Sequence, residues 1–446
     1  MSDSMTKLNS GILAEFDDNY SSKLEGSLPL KMTRGFLEAI AKKLLLSVLK
    51  KSSSGTIKVT DGTDTYFFGE ESTNGPKAEI NIVSPLAWSR TVFAGTIGSA
   101  ESFIRGEWKS PDLVSVIRFF CANRDTMDQM EGGLAYLSWP SHKLFHLLRR
   151  DTEEGSKRNI SAHYDLGNDF FSIWLDPSMT YSSGLFSSTS STLLSASLKK
   201  IDSLCQKLQL KSTDHLLEIG SGWGSFAIYA ASNFGCKVTT VTISKKQYEF
   251  VQSEITKYGL SDRVEVLFSD YRSISGQFDK VVSVEMIEAV GDKYLETYFK
   301  KISTLLKPEG ICAIQAITIR DQFFDYAVRN VDFIQRYIFP GSNIPSTSRM
   351  LTCVKEHSDM ILTEFEDLTA HYEKTIAFWR RSFWKNEDKI RQVGFSDQNL
   401  RLWDYYFAYC QGGFAERVIG VAHLVFSKPK QFKRRNEPVS PQSTSN

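Results

Sequence analysis

The chain has 446 residues, with 53 Lys and Arg against 52 Asp and Glu and a net charge of +1, so no global field marks it for nucleic acid. That length carries two or three domains with full cores, and no apolar run approaches the ~20 residues of a membrane span. The six cysteines, Cys121, Cys205, Cys236, Cys312, Cys353 and Cys410, are scattered without a C-x-x-C pair, which points to reduced thiols in a cytosolic compartment and to no metal site. The N-terminus is polar and lacks the apolar core of a signal peptide, so the expected protein is soluble or at most peripheral to a membrane.

In chain order, residues 1–28 read as a flexible N-terminus and 29–125 as a small α+β domain of its own. Within it, Lys31 to Lys51 has apolar residues at helical spacing with basic residues between them, which fits a helix packed on a core and leaves a membrane-surface role open. Ile57–Thr60, Tyr66–Gly69 and Ala78–Val83 read as a meander of short strands, the first two joined at Asp61-Gly62. Helical signals return at Ser99 to Gly106 and again at Ser110-Pro111-Asp112, an N-cap with Pro at the first helical position leading into Leu113 to Phe120. A linker helix region, 126–158, contains Gly132-Gly133, Trp139-Pro140 and the basic stretch Lys143 to Arg150.

From 159 to 428 the pattern is that of an α/β domain. His163 to Phe171 and Leu175 to Phe186 are polar runs between aromatics, and a helix from about Leu194 to Leu208 delivers the chain to the strand Leu216-Leu217-Glu218-Ile219. Strand patterns recur at Lys237–Ser244, Val264–Asp270, Phe278–Met286 and Gly310–Ile319, with a helix from about Lys293 to Leu306, so a parallel sheet is expected. The aromatic-rich stretch Phe323 to Pro345 is too long for a connecting loop and reads as a lid or substrate wall. Helices are expected through Cys410, His423–Ser427 reads as a last strand, and 429–446 as a basic and then disordered tail.

The stretch Leu216 to Gly224, followed by Ser225 to Ala231, is a strand, a glycine loop and a helix start, the sequence of a nucleotide cradle. A dinucleotide site would show G-x-G-x-x-G and a ribose-binding acid after the next strand. Here the third glycine comes early, at Gly224, and that strand ends in hydroxyls, so NAD is disfavoured. Glu218 ahead of Gly220-Ser221-Gly222 is the arrangement of S-adenosylmethionine-dependent methyltransferases, with the carboxylate close to the cationic methionine end.

With these residues assembled, the chain resembles the cyclopropane-fatty-acyl-phospholipid synthase family over roughly Asn159 to Lys428. The resemblance rests on Tyr164-Asp165-Leu166-Gly167-Asn168-Asp169-Phe170, Met179-Thr180-Tyr181-Ser182, Glu218 to Gly224, Val284-Glu285-Met286-Ile287-Glu288, and Tyr337-Ile338-Phe339-Pro340-Gly341. It implies a Rossmann-like S-adenosylmethionine methyltransferase sheet with a helical lid beside the small N-terminal α+β domain, and a methylene transfer to the cis double bond of an acyl chain in a phospholipid. By position it puts cofactor contacts at Tyr181 and Ser182, on the glycine loop with Glu218, Gly220, Ser221, Gly222 and Gly224, at Thr242 and Gln247, and at Tyr271 and Arg272.

An alkene is a poor nucleophile, so it must be held in line with the sulfonium methyl in a dry apolar pocket. The resulting carbocation needs a base. The resemblance implies a bound bicarbonate for that purpose, held by positions that correspond here to Ser183, Glu288, Gln315, the backbone of Ile317, and Tyr372. Ser183 and Gln315 depart from the family's Cys and His, although both keep a hydrogen-bonding group. Cys410, with Tyr406, matches the region of a cysteine often assigned to the active site; methyl transfer to an alkene requires no covalent enzyme intermediate, and a small buried helix residue is the other reading.

Two relatives of the leading reading stay open, a lipid methyltransferase that leaves a methyl branch or an exocyclic methylene and one that acts on an unusual acyl chain; a small-molecule methyltransferase on the same cofactor domain is an alternative of a different class. A non-catalytic lipid-binding protein, acting through the N-terminal domain, is opposed by the intact glycine loop. Access to a double bond inside a bilayer implies peripheral docking on anionic phospholipid through Lys42, Lys43, Lys50, Lys51, Lys143, Arg149 and Arg150, with the N-terminal domain organising a homodimer or a docking surface. No nucleic-acid partner is expected.

Overall fold

The computed structural model describes residues 34–124 and 167–431. The expectations for Gly132-Gly133, Trp139-Pro140, Lys143 to Arg150, His163 to Leu166 and the end of the tail lie outside the described residues. The chain divides into two compact units: one takes 1–175, 325–342 and 369–419, the other 176–324, 343–368 and 420–446.

In the first unit, β1 (Gly55–Asp61), β2 (Asp64–Glu70), β3 (Lys77–Ile82) and β4 (Trp108–Lys109) form one sheet in the order β2-β1-β3-β4. The expected hairpin forms, with Asp61 opposite Asp64. The expected meander does not, because β3 runs parallel to β1 on its other side. The hairpin returns the chain to the start of β1, where Gly55 faces Glu70, and the 71–76 link then steps across that end. The crossing is tight enough that a Cβ on Gly55, at φ +75°, would lie 2.5 Å from the carbonyl oxygen of Pro76.

The helix Leu113–Ala122 begins two residues later than expected: Asp112 is the cap, accepting from Ser115 N–H at 3.2 Å, and Pro111 stands ahead of it. The helix Asp397–Ala415 lies against this helix so closely that a Cβ on Gly412 would approach Ile117 Cγ2 to 2.7 Å, and Arg118 pairs with Glu416 at 2.7 Å. The sheet and its helices therefore share their unit with Thr369–Lys385 and Asp397–Ala415. Trp174, Trp379, Phe383 and Phe407 form a fully buried aromatic core there, Trp174 meeting Trp379 edge to face at 5.8 Å between ring centroids.

The second unit is built on β5 (His215–Ile219), β6 (Lys237–Thr242), β7 (Val264–Phe268), β8 (Phe278–Val284), β9 (Leu306–Ile319), β10 (Ile361–Asp367) and β11 (Ile419–Ser427), in the order β10-β11-β9-β8-β5-β6-β7. Its strands β5 to β9 are parallel, as expected. The sheet as a whole is mixed, because β10 and β11 pair antiparallel. β10 is missed by the sequence reading, which expects helices through that region; its alternation is weak, with the three acids Glu364, Glu366 and Asp367 on an edge strand, Glu364 and Asp367 exposed.

Order reverses between β5 and β8: the chain builds outward to β6 and β7, then returns to the other side of β5. A doubly wound sheet opens its ligand crevice at the carboxyl ends of the strands at such a point. No helix among the described residues is long and apolar enough to cross a membrane.

Candidate active site

The glycine loop leaves the carboxyl end of β5. Gly220, Gly222 and Gly224 all take positive φ, and the N–H groups of Gly220 and Ser221 donate to the Val241 carbonyl at 3.0 and 2.9 Å. Gly224 caps the helix Ser225–Phe234 without a side chain, so its first N–H groups face the loop. At Gly222, φ +49°, a Cβ would meet nothing within 4 Å. The loop is a cradle with open space above it.

Glu218 is buried within the sheet, accepts a hydrogen bond from Thr240 Oγ1 at 2.5 Å, and is pushed up to about 8 by burial, against that bond and the charge of Lys200. A cation arriving beside it would restore its charge. At the end of β6, Thr242 Oγ1 donates to Gln247 Oε1 at 2.9 Å, and Ser244 caps the helix Lys245–Lys257. That end offers amide and hydroxyl groups in place of an acid. After β7, Arg272 forks onto the buried Asp270 carboxylate through Nε and Nη2 at 2.8 and 2.7 Å, and burial pushes the Tyr271 hydroxyl up.

The run Asp176 to Gly184 is fastened over these strand ends by hydrogen bonds along its length. Thr180 Oγ1 donates to Ser225 Oγ at 3.2 Å, Lys200 Nζ donates to Ser182 Oγ at 2.9 Å, and the Ser183 N–H donates to Glu285 Oε1 at 2.8 Å. Lys200 is a buried lysine, lowered to about 8 by burial against the charges of Glu285, Glu218 and Asp176. Sequence reasoning passed over it, since Lys199-Lys200 reads as an ordinary helix surface.

Glu285 follows directly on β8, in a left-handed backbone conformation at φ +48°. Its N–H donates to the Gln315 carbonyl at 2.8 Å, and Gln315 Nε2 donates to Glu285 Oε1 at 2.7 Å. An acceptor-only carboxylate fixes which end of the amide faces it, so Gln315 Oε1 faces His423, whose Nε2–H donates at 2.8 Å. Glu288 sits one short turn further, buried, accepting from the Ile317 N–H at 2.5 Å. Burial and the Glu285 charge push it up to about 8, and its Oε2 has no hydrogen-bond partner among the described residues.

Four of the residues expected around a bicarbonate, Ser183, Glu288, Gln315 and Ile317, are thus brought together. Their donors are not left for an anion: the Ser183 N–H and Gln315 Nε2 converge on Glu285, the Ile317 N–H serves Glu288, and the Ser183 hydroxyl turns to the Gly184 carbonyl at 3.1 Å. A bicarbonate would have to enter beside the Glu285 carboxyl that already occupies these donors, so this arrangement does not fit it. Glu285 and His423, which organise the cluster, were not singled out from the sequence. An acid immediately after a buried strand was the available signal for Glu285; His423 in an apolar run carried none.

Tyr372 and Cys410 belong to the first unit. Tyr372 is buried, with its ring 4.4 Å from that of Phe414, and Tyr406 is buried beside Trp403. Burial, followed by the charge of Asp332, pushes the Cys410 thiol well above its ordinary range, which removes the thiolate a nucleophile would need. Among the described residues no group of His, Cys, Asp and Glu is arranged to hold a metal.

A strand-glycine loop-helix cradle at the switch point of this sheet, with a buried acid behind it, defines a Rossmann-like S-adenosylmethionine-dependent methyltransferase. A model of the family described as mycolic acid cyclopropane synthetase matches residues 151–424, and the chain belongs to that family. It is 33% identical over 410 residues to the tuberculostearic acid methyltransferase of Mycobacterium tuberculosis, covering 88% of this chain and 92% of the relative. The cyclopropane-fatty-acyl-phospholipid synthase of Escherichia coli K12 is 33% identical over 362 residues, 79% of this chain and 88% of that protein. Among solved structures, mycolic acid cyclopropane synthase CmaA1 complexed with SAH and CTAB aligns with a TM-score of 0.58 at 27% identity, over 61% of this chain and 98% of its own.

Proposed function

We propose that the protein transfers the methyl carbon of S-adenosylmethionine to the cis double bond of an unsaturated acyl chain in a phospholipid. The observation that carries this reading is the juxtaposition at the switch point of one sheet: the glycine cradle ends β5, and the carboxyl pair Glu285 and Glu288 ends the neighbouring β8. The donor would be held by the Gly220 to Gly224 loop, by Tyr181 and Ser182, by Thr242 and Gln247, and by Tyr271 and Arg272, with Glu218 behind its cationic end. Bound there, it supplies an electrophilic methyl group. The chain's own part is to hold the alkene in line, exclude water and accept the proton released from the new methyl group.

Ring closure is the leading outcome, by analogy with the cyclopropane synthases. A methyl-branched or methylene product is the second reading, favoured by the likeness to the tuberculostearic acid methyltransferase over most of both chains.

Docking on a membrane surface is supported by the helix Arg34–Leu49. Phe36, Ile40 and Leu44, spaced four apart on one face, are all exposed, with Lys43, Lys50 and Lys51 exposed near them. Lys42 does not belong to that surface: it pairs with Asp61 at 2.6 Å and stands over the Tyr66 ring, held by its own sheet. Lys143, Arg149 and Arg150 lie outside the described residues.

Lipid mass spectrometry tests the whole reading, in a host that makes unsaturated but no modified phospholipids. A gain of ~14 mass units that resists hydrogenation is expected for a ring, since one CH2 is added across the double bond. No gain, with S-adenosylmethionine still bound by the purified chain, would favour a small-molecule methyltransferase.

A further inference from the structure

We propose that the Glu285 carboxylate is itself the base of the reaction, seated on the donors that the family resemblance assigns to a bound bicarbonate. The inference deepens the methyl-transfer reading above and rests on it.

Its seat is built from three directions. The Ser183 N–H and Gln315 Nε2 converge on one oxygen of Glu285 at 2.8 and 2.7 Å, from the run over the crevice and from β9. Two N–H donors aimed at one oxygen stabilise negative charge on it. His423, fully buried on β11, donates to the far end of the Gln315 amide and keeps its NH2 group turned to Glu285. The backbone of Glu285 is held in the left-handed region, which a residue with a side chain rarely adopts, by its N–H bond to the Gln315 carbonyl. A conformation suited to glycine is thus occupied by an acid whose side chain lands on a prepared pair of donors.

Two carboxyl groups stand here, and their surroundings differ. Glu288 is buried and raised toward its neutral form, while Glu285 is only half-buried and has the donors. Pairs separated in this way divide acid and base roles between them. Glu288 is the positioning residue: it holds the Ile317 N–H at the end of β9 and keeps its proton.

The step balances without a further reactant. The alkene π pair forms a bond to the donor's methyl carbon as the carbon–sulfur bond breaks, its pair going to sulfur and leaving S-adenosylhomocysteine. The neighbouring acyl carbon is left electron-deficient. A Glu285 oxygen takes a proton from the new methyl group, the released carbon–hydrogen pair closes the three-membered ring, and the proton passes from Glu285 to water. A tethered carboxylate needs no uptake of bicarbonate from the medium.

The test uses the full-length purified chain with S-adenosylhomocysteine bound. Carbon-13 NMR of labelled bicarbonate should show no site-specific broadening with the native chain and clear broadening with Glu285→Gly, in which the Ser183 and Gln315 donors are released. On unsaturated phospholipid vesicles in carbon-dioxide-free buffer, native turnover should change by less than about twofold when bicarbonate is added, Glu285→Gln should lose ~100-fold or more, and bicarbonate should restore Glu285→Gly by ~10-fold. S-adenosylhomocysteine affinity and thermal melting of each variant report folding; should the Gln variant be unfolded, Glu285→Gly, which suits the left-handed backbone, carries the comparison. Site-specific bicarbonate binding to the native chain, native turnover that depends on bicarbonate, or a Gln variant keeping more than about a tenth of native turnover would overturn the proposal. If the native chain modifies no phospholipid, the methyl-transfer reading fails, and the NMR contrast still decides whether Glu285 fills the anion seat.

Discussion

Gln315 Oε1 accepts a hydrogen bond from His423 Nε2 at 2.8 Å, while the other end of the same amide holds the Glu285 carboxylate. One side chain on β9 therefore couples a histidine on β11 to an acid after β8, and both of its bonds are shielded from water.

Replacing Gln315 with Met keeps the length and removes both bonds. A buried donor left without a partner costs ~1–3 kcal/mol, and more when a charged group is also released, so a loss of about 2–4 kcal/mol is expected. Denaturant unfolding of the two chains measures it. A difference below about 0.5 kcal/mol would mean that water takes over the amide's role.

Glu288 makes stability depend on pH in an unusual direction. Its folded-state value is raised from 4.5 to about 8, so the folded chain keeps a proton that the unfolded chain releases between those values. Stability from this group is therefore greatest below pH 4.5 and falls as pH rises toward 8, by at most ~1.4 kcal/mol per pH unit. Glu288→Gln removes that slope. Its melting temperature should exceed the native value at pH 8, and the two should converge near pH 4.5. Parallel melting curves across the range would show that Glu288 is ionised in the folded chain.

Gly222→Ala separates folding from ligand binding. The added Cβ meets no protein atom within 4 Å, so its cost to the fold is the left-handed backbone alone, ~1–2 kcal/mol. With the donor held on this loop, the same methyl would take space from it, and S-adenosylhomocysteine affinity should fall ~10-fold or more, a loss of at least ~1.4 kcal/mol. Calorimetric titration beside a thermal melt reads both effects. Unchanged affinity would place the nucleoside elsewhere.

The exposed face of Arg34–Leu49 predicts two separable contributions to membrane docking. Changing Phe36, Ile40 and Leu44 to Ser removes apolar insertion, and changing Lys43, Lys50 and Lys51 to Gln removes ~1 kcal/mol of attraction per residue to anionic vesicles. Co-sedimentation should weaken in both variants, but only the native chain and the Ser variant should remain sensitive to salt. Binding that ignores salt in the native chain would leave the apolar face as the whole of the contact.

Much of the second unit was legible from its residues. The alternation of apolar runs, glycines and helix caps over short windows is enough to place β5 to β9 and the cradle, because turn chemistry and side-chain period act within one element. The antiparallel pair β10 and β11 was half legible: an apolar run marks β11, whereas β10 shows three acids on an edge and hides its pairing. In the first unit, Asp61-Gly62 announces the hairpin, yet nothing local says that β3 crosses over to lie parallel to β1.

The site divides in the same way. The sequence by itself determined the glycine cradle, the neighbouring Thr242 and Gln247, and the order of motifs that marks the family, since each lies within a short continuous run. Only the tertiary structure decided what Ser183 and Gln315 hold. They are 132 residues apart, and they meet because the run after Asp176 folds across the ends of β8 and β9. Residue types alone allowed both to face an external anion. Three-dimensional placement gives their hydrogen bonds to Glu285, because a buried N–H donor takes the nearest acceptor that the fold supplies, and here that acceptor is the chain's own carboxylate.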